Sequence, residues 1–317
     1  MTGKERMRVL LDGGVPDVPP HWELAFQIEE TFLGMRFEPL REEDFESPEA
    51  KERVEWLRQM EVMKRLVEEV DWAVVPGGYD AGRVRVAHEL LGHKAMIAGY
   101  EGDGVFWMPN GNDMMDFAVK LHEHRDGLLE EAREKCERAK QSLRDMTSAG
   151  ADFFVGTYDF GFNDAPFVSP KDFQEIVAPF LAEIVNTSHE LGKKMILHSD
   201  GCLTKVLDQI HATGIDGYQS VDPQGGMDIR KVREKYPEWL LMGNVACNML
   251  QDVNEERIRD SVRYCMTYGG VGKRYIFSTS NCIFRGMPAE SYRVMVDEYQ
   301  RICRKDSVDS LETRGRI

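Results

Sequence analysis

The C-terminal half of the chain repeats one pattern five times: a short apolar segment, a polar turn and an amphipathic stretch with helical spacing. The apolar segments lie at 151–159, 193–201, 214–222, 239–247 and 273–281. The helical stretches lie at 171–191, 203–212, 228–235, 254–268 and 289–303. Such alternation predicts an α/β protein, because parallel strands need crossover connections and helices then cover the sheet.

The N-terminal half is less regular but continues the pattern. Apolar segments occur at 19–26 and 71–76, a third lies somewhere within 95–108, and helices are predicted at 48–70 and 113–149. Eight apolar segments result, and no linker rich in Pro, Ser or Gly divides the chain. The pattern favours one (β/α)8 TIM barrel, a single domain over 1–317, rather than a doubly wound sheet.

The charge of the chain limits its partners. Forty Lys and Arg against 55 Asp and Glu leave a formal net charge of −15, which repels nucleic acid and anionic membranes. No apolar segment reaches the length of about 18 residues that suggests a membrane-spanning helix, and Met1 is followed by charged residues. The six cysteines form no CxxC pair. We therefore expect a cytoplasmic protein, compatible with a homodimer, that binds a neutral organic molecule, a cation or a basic protein.

In a barrel of this type the active site forms where the strands end at their carboxyl side. His198 and Asp200 lie at the end of the fifth apolar segment, and Cys282 follows the eighth. Because His198 and Asp200 are two residues apart at a strand end, both side chains should project to the same side and converge. Imidazole, carboxylate and thiolate together make a suitable ligand set for Zn²⁺, with a position left open for substrate. The alternative is that His198 and Asp200 form a hydrogen-bonded pair and that Cys282 packs in the core.

Other side chains at predicted strand ends are candidates for catalysis or substrate binding. The catalytic candidates, besides His198 and Asp200, are Glu23, Tyr158 and Asp159. The substrate-binding candidates are Trp22, Phe26, Tyr79, Trp107, Met108, Phe160 and Asn244. Each aromatic residue on its own is a plausible core residue, but together they predict a pocket for a flat, apolar ligand.

Five stretches of the sequence resemble the uroporphyrinogen decarboxylase superfamily, in the same order along the chain. They are TGKERMRVLLDGGVPDVPPHWE (2–23), KKMILHSDG (193–201), GIDGYQSVDP (214–223), LLMGNV (240–245) and STSNCIFRGMPAESY (278–292). The resemblance implies a (β/α)8 barrel. It also implies one of two activities, decarboxylation or cobalamin-linked methyl transfer.

The loop after the first apolar segment separates these two activities. Decarboxylases of the superfamily hold a substrate with many carboxylates through arginines in this loop. Here the loop contains Glu23, Glu29 and Glu30 and no arginine. Carboxylates buried against carboxylates cost several kcal/mol, so the resemblance favours the methyltransferase branch.

In the methyltransferase branch, zinc is typically held by a His-x-Cys motif at the fifth strand and a Cys near the eighth. This chain has His198 and Cys282 at those places but Asp200 in place of the first cysteine. The metal site implied is therefore His198, Asp200 and Cys282, with Glu23 as a further ligand or with no metal at all. Exchange of thiolate for carboxylate gives a harder, more Lewis-acidic site, suited to an ether oxygen.

The chain most resembles the first methyltransferase of anaerobic O-demethylase systems. That resemblance implies transfer of a methyl group from a phenyl methyl ether, such as guaiacol, vanillate or veratrol, to the Co(I) of cobalamin carried by a separate corrinoid protein. A zinc spacing proposed for that group also occurs, as Glu175, Glu190 and His211. Fifteen residues of helix separate the two glutamates, so they share a site only if the chain breaks at Pro179.

The expected chemistry is neutralisation of the charge that develops on the ether oxygen as the methyl group leaves. A bound metal, or a protonated group among His198, Asp159, Asp200 and Tyr158, would supply it. Two alternatives stay open: a zinc-dependent methylcobalamin:thiol methyltransferase, and a non-catalytic barrel that binds a corrinoid or tetrapyrrole.

Overall fold

A computed structural model describes residues 1–270 and 272–314, and its centre is a curved parallel sheet of seven strands in chain order. The strands are β1 Val74–Pro76, β2 Met96–Glu101, β3 Phe153–Thr157, β4 Met195–His198, β5 Gly217–Ser220, β6 Leu240–Val245 and β7 Tyr275–Thr279. Each lies within or overlaps a predicted apolar segment. The segment at 95–108, which the sequence left unplaced, contributes β2.

The first apolar segment, 19–26, closes the sheet without forming a regular strand. His21 bridges in parallel to Trp72, beside β1, and to Phe277 of β7. Its carbonyl accepts from the Ala73 N–H at 2.9 Å, and the Pro20 carbonyl accepts from the Phe277 N–H at 2.9 Å. Pro20 and the preceding proline lack the N–H groups that a full ladder requires, so pairing here is short. The predicted TIM-barrel-like α/β fold is confirmed.

Helices cover the outside of this sheet. They are α1 Gly3–Leu11, α2 Glu29–Leu33, α3 Pro48–Val70, α4 Ala81–Leu91, α5 Met114–Glu123, α6 Arg125–Ala149, α7 Pro170–Ile176, α8 Ala178–Glu190, α9 Leu207–Ala212, α10 Ile229–Lys235, α11 Glu255–Cys265 and α12 Ala289–Arg314. The helix predicted at 48–70 agrees with α3, whose N-cap is the Ser47 side chain.

Two predicted helices are each divided in the structure. The stretch 171–191 forms α7 and α8, which meet at Val177, and Pro179 lies in the first turn of α8. Proline in a helix interior removes one hydrogen bond and clashes with the preceding turn, so a new helix starts there. The stretch 113–149 forms α5 and α6, separated at His124, whose φ of −131° and ψ of 42° lie outside the helical region.

The register of the sheet aligns the ends of neighbouring strands. Thr157 of β3 pairs with His198 of β4, and His198 pairs with Gln219 of β5. Because all the strands are parallel, side chains that follow these residues emerge at one end of the barrel. Within the described residues, none of the helices is long and apolar enough to cross a membrane. The assignment of 1–317 to one domain stays a prediction.

Candidate active site

Asp159, His198 and Asp200 converge at the carboxyl ends of β3 and β4. Among the described His, Cys, Asp and Glu residues, they form a group whose potential ligand atoms all lie within 4.8 Å of one another. His198 Nε2 is 3.6 Å from Asp159 Oδ1, and the Asp200 backbone N–H donates to that oxygen at 3.4 Å. The convergence of His198 and Asp200 expected from their spacing is present, and Asp159 joins them from the adjacent strand.

A hydrogen bond to Gln219 orients the His198 ring. His198 Nδ1 contacts the Oε1 atom of the fully buried Gln219, whose Nε2 donates to the Thr279 carbonyl at 3.4 Å. An amide oxygen only accepts hydrogen bonds, so Nδ1 carries the proton and donates it. Nε2 is then free to bind a cation or to carry a second proton, and it faces Asp159.

The Asp200 carboxyl is only partly satisfied by its neighbours. Asn281 Nδ2 donates to Oδ2, but Oδ1 is buried and has no hydrogen-bond partner among the described residues. Burial raises the pKa of Asp200, and the nearby Asp159 and Asp222 raise it further, although His198 opposes them. A proton or a bound cation would relieve this buried negative charge.

The three side chains fit a divalent cation. They offer an imidazole nitrogen and carboxylate oxygens, a donor set suited to Zn²⁺ and to harder divalent metals. The implied set contained Cys282 where the structure has Asp159. Cys282 lines the adjoining cavity, and burial raises the pKa of its thiol well above the ordinary value, which disfavours the thiolate that binds metals.

The residues of the other implied zinc spacing have different partners. Glu175 forms an ion pair with Arg125 at the surface, and the His211 ring stacks on Tyr236 with centroids 4.7 Å apart. Glu175, Glu190 and His211 do not form a metal-binding group within the described part of the chain.

A cavity of about 630 Å³ opens beside His198 and Asp159. Rings of Tyr79, Tyr100 and Trp107 contribute to its wall, as the sequence predicted for Tyr79 and Trp107. The Tyr79 hydroxyl lies 3.3 Å from Thr157 Oγ1, and Trp107 Nε1 donates to the Gly102 carbonyl at 3.1 Å. These contacts hold the rings in place around a space large enough for a small aromatic molecule.

A second cavity, of about 730 Å³, lies on the other side of Asp159. It contains Met108, one of the predicted binding residues, together with Asp200 and Asn281. The Met108 backbone N–H donates to the Asp159 carbonyl at 2.7 Å, which ties this loop to the end of β3. Asp159 therefore borders both cavities.

Several predicted aromatic residues lie in the core instead of the cavity wall. Trp22 is fully buried and packs edge-on against Phe153 at 6.1 Å. Phe26 packs against neighbouring rings of the barrel closure, and Phe160 stacks on the buried Tyr158. The structure does not bring Trp22, Phe26 or Phe160 to the candidate active site. Removal of these apolar rings from water stabilises the fold, so they fill the core.

Glu23 is also placed in the interior. It is fully buried, and its carboxylate accepts hydrogen bonds from the Thr279 backbone N–H at 2.9 Å and the Thr279 hydroxyl at 2.7 Å. His21 Nε2 lies 3.4 Å from its other oxygen. These bonds join the first segment to β7, so the observed contacts of Glu23 are those of barrel closure.

Asn244 supports an unusual turn. Ser220 and Val221 have φ values of 107° and 48°, a region that a β-branched residue rarely adopts. Asn244 Nδ2 donates to the Val221 carbonyl at 2.8 Å, and Asn244 borders a separate cavity beside α11. The observed contact shapes the backbone between Gln219 and Asp222.

Glu101 is a site residue that the sequence analysis missed. It ends β2, is 6% exposed and lines the 630 Å³ cavity. Its carboxyl accepts from the Tyr158 hydroxyl and from the backbone N–H groups of Asp103 and Gly104, both at 3.1 Å. Burial raises its pKa to about 7. The criterion used for the other candidates, a polar side chain at a strand end, would also have selected Glu101. It was missed because the sequence did not show where β2 ends.

Two cations from α6 reach the same cavity. Lys135 and Arg138 line it, and both pair with Asp103, Arg138 at 3.5 Å. The sequence predicted only a helix here, and the packing of α6 beside β2 shows that one of its turns borders the cavity.

The Asp80 side chain begins α4. It accepts from the Arg83 backbone N–H at 2.9 Å, as an N-cap does. We expect Asp80→Ala to lower the free energy of unfolding by about 1 kcal/mol and Asp80→Asn by a few tenths, because asparagine also caps helices. Urea unfolding followed by circular dichroism measures both changes. Equal destabilisation by the two variants would contradict the capping role.

The fold and the site define an α/β-barrel protein whose candidate active site lies at the carboxyl ends of the strands. The family model for uroporphyrinogen decarboxylase (URO-D) matches residues 112–302. The chain therefore belongs to the uroporphyrinogen decarboxylase family.

A solved structure of similar length agrees with this architecture. A methyltransferase from Methanosarcina mazei superposes with a TM-score of 0.72 at 15% sequence identity, covering 95% of this chain and 99% of that one. A B12-independent methionine synthase from Shewanella sp. W3-18-1 has a TM-score of 0.48 at 12% identity, covering 72% of this chain and 67% of that one. No curated protein matches the chain in sequence. At 15% identity, the likeness to the Methanosarcina mazei protein establishes the fold alone.

Proposed function

We propose that this protein is a methyltransferase that removes the methyl group of a phenyl methyl ether and passes it to the Co(I) of a separate corrinoid protein. The proposal depends on one observation: an aromatic cavity lies directly beside a group of acidic and imidazole side chains. A cavity with aromatic walls, from Tyr79, Tyr100 and Trp107, ends at a group of acidic and imidazole side chains, Asp159 and His198. The first feature suits an aromatic ring and the second suits a developing phenolate.

The charges around the cavity argue against a decarboxylase of polycarboxylated substrates. The loop after the first segment contributes Leu24 and Ala25 to the wall. The lining cations, Lys135 and Arg138, already pair with Asp103. Further carboxyl groups line the same space, so several substrate carboxylates would meet charges of the same sign.

The reaction breaks the bond between the methyl carbon and the ether oxygen and forms a bond from that carbon to cobalt. The electron pair of the broken bond stays on oxygen, and Co(I) supplies the pair for the new bond. A divalent cation held by Asp159, His198 and Asp200 would supply Lewis acidity toward the ether oxygen.

Side chains of the protein would orient the substrate and donate a proton to the leaving group. The aromatic rings hold the arene, and the ether oxygen faces His198 Nε2 beside Asp159. A cation and a proton are alternatives at Asp200. In the absence of a cation, burial raises the pKa of this carboxyl and so favours its protonated form more than in an exposed aspartate, and that form could donate to the departing phenolate. Because Gln219 holds Nδ1, His198 presents Nε2 in a fixed direction.

Methyl transfer can be tested directly. The protein is incubated with a reduced corrinoid protein and a panel of methoxyarenes, and loss of the Co(I) absorbance and formation of the phenol are followed together. We expect both signals to depend on the protein and on the ether. Transfer from methylcobalamin to a thiol without ether cleavage would favour the thiol enzyme. Ligand binding without turnover, unaffected by loss of His198 or Asp159, would favour a binding protein.

The metal ligands can be distinguished by a pair of substitutions. We expect Asp159→Asn to lower the affinity for Zn²⁺ by about 10-fold or more and Cys282→Ser to leave it within about twofold, because Asp159 belongs to the converging group. Equilibrium dialysis with elemental analysis measures the affinity of each variant. The opposite result, with loss only in Cys282→Ser, would restore the cysteine as ligand.

A further inference from the structure

The carboxyl group of Glu101 has unused hydrogen-bonding capacity where it lines the cavity. A carboxylate offers about four lone-pair positions. Oε2 accepts from the Tyr158 hydroxyl and the Gly104 N–H, and Oε1 accepts from the Asp103 N–H. Oε1 therefore has room for one more donor, and the bonds already formed hold the carboxyl in a fixed orientation.

The surroundings of Glu101 select for an uncharged donor. Lys135 and Arg138 share Asp103 as their partner, and Asp159 brings the number of acids on the wall to that of the cations even before Glu101 is counted. A carboxylate on the bound ring would face these acids and would have to compete with Asp103 for the cations. A neutral hydroxyl group avoids this repulsion and gives Oε1 the donor it lacks.

Glu101 and His198 line the same cavity from two strands that are not neighbours. Glu101 ends β2 and His198 ends β4, with β3 between them, so their backbones are about 10 Å apart at a strand spacing of about 4.8 Å. Both side chains line the cavity. One substituted aromatic ring with a hydrogen bond at each end can bridge that distance.

We propose that Glu101 is a specificity-determining residue that accepts a hydrogen bond from a free hydroxyl group on the aromatic substrate. The preferred substrates are then uncharged methoxyphenols, ahead of fully methylated or carboxylated methoxyarenes. This assignment rests on the proposed function for the identity of the methoxy group. The hydroxyl preference itself is a property of binding.

The test measures binding by calorimetry without corrinoid protein, so that no turnover occurs. The titrations are done at pH 8, where Glu101, with its pKa of about 7, is mostly ionised. The probes have their substituents at opposite ends of the ring: 4-methoxyphenol, which has one hydroxyl group, 1,4-dimethoxybenzene, in which that hydroxyl is methylated, and anisate (4-methoxybenzoate), which has a carboxylate. We expect the wild type to bind 4-methoxyphenol about 10-fold or more tighter than 1,4-dimethoxybenzene, since the hydrogen bond is charge-assisted, and to bind anisate weakest. In Glu101→Gln the preference for 4-methoxyphenol over 1,4-dimethoxybenzene should fall to within about threefold, while the affinity for 1,4-dimethoxybenzene stays unchanged.

Two further variants keep the result interpretable. Glu101→Asp retains a carboxylate and should keep a preference for 4-methoxyphenol, whereas Glu89→Gln, an exposed change on α4, should alter nothing. Tightest binding of anisate, or equal weakening of all three probes in Glu101→Gln with an unchanged melting temperature, would overturn the proposal. A hydroxyl preference without Co(I) methylation would refute the proposed reaction alone, and ether cleavage without the preference would refute the Glu101 assignment alone.

Discussion

His198→Ala is expected to reduce ether-dependent methylation of Co(I) by about 10²–10⁴-fold, the usual contribution of a positioned acid–base group. The imidazole belongs both to the converging group with Asp159 and Asp200 and to the cavity that would hold the substrate. Its removal takes away a ligand of the cation or, in the absence of a cation, an acid–base group beside the substrate. The initial rate of Co(I) loss at saturating guaiacol gives the effect, with phenol release as an independent signal.

Gln219→Leu is expected to reduce activity less than His198→Ala does. Gln219 does not line the described cavities, but its Oε1 accepts from His198 Nδ1, so we infer that it is a positioning residue. We expect activity to fall by about 10–100-fold, as for other groups that orient an active-site imidazole, and the pH profile to shift because the ring tautomer is no longer held. Glu89→Gln serves as the control. Full activity in His198→Ala would remove His198 from the proposed mechanism.

Loss of the Glu298 carboxylate is expected to destabilise the fold by about 3 kcal/mol near neutral pH. The side chain is 1% exposed and accepts from Arg301 at 2.9 Å, Arg263 at 2.7 Å and Arg259 at 3.2 Å, which joins α11 to α12. Hydrogen bonding to Arg301, followed by that to Arg263, lowers its pKa from 4.5 to about 2. Denaturant unfolding of Glu298→Gln at pH 7 measures the loss.

The stabilisation by Glu298 should be lost at low pH. Because the folded pKa lies below the unfolded value, the carboxylate stabilises the protein above about pH 4.5, and this contribution fades as the pH falls toward 2. The difference between wild type and Glu298→Gln should therefore shrink on acidification. Glu255→Gln is the matched control, since Glu255 is 60% exposed and its pair with Arg259 should contribute less than about 1 kcal/mol. Equal effects at both sites would contradict the role of burial.

The barrel could be predicted because its repeat is local. Each strand needs a short apolar segment, and each crossover needs an amphipathic helix, so both periodicities appear in the chain itself. The same logic placed His198 and Asp200 together, because residues i and i+2 after a strand project to the same side. Pro20 and Pro179 show where local chemistry modified the pattern, in the irregular closing segment and in the break between α7 and α8.

The order of the strands in the sheet determines which strand ends lie next to each other. Asp159 joins His198 because β3 lies next to β4, whereas Cys282 follows β7 and lines a neighbouring part of the cavity. Strand ends alone also did not separate residues that face the cavity from residues that face the core, such as Trp22 and Glu23. That distinction depends on side-chain direction relative to the barrel interior, which no short stretch of sequence encodes.

Sequence by itself determined the alternation of strands and helices, the acidic surface and the polar residues available at the strand ends, since these follow from periodicity and composition. Tertiary structure decided the rest. It brought Asp159 to His198, turned Glu101 into a buried cavity residue and enclosed Glu23 in the barrel closure. The physical reason is that proximity, desolvation and hydrogen-bond partners arise between residues far apart in the chain, and only packing of the strands and helices creates them.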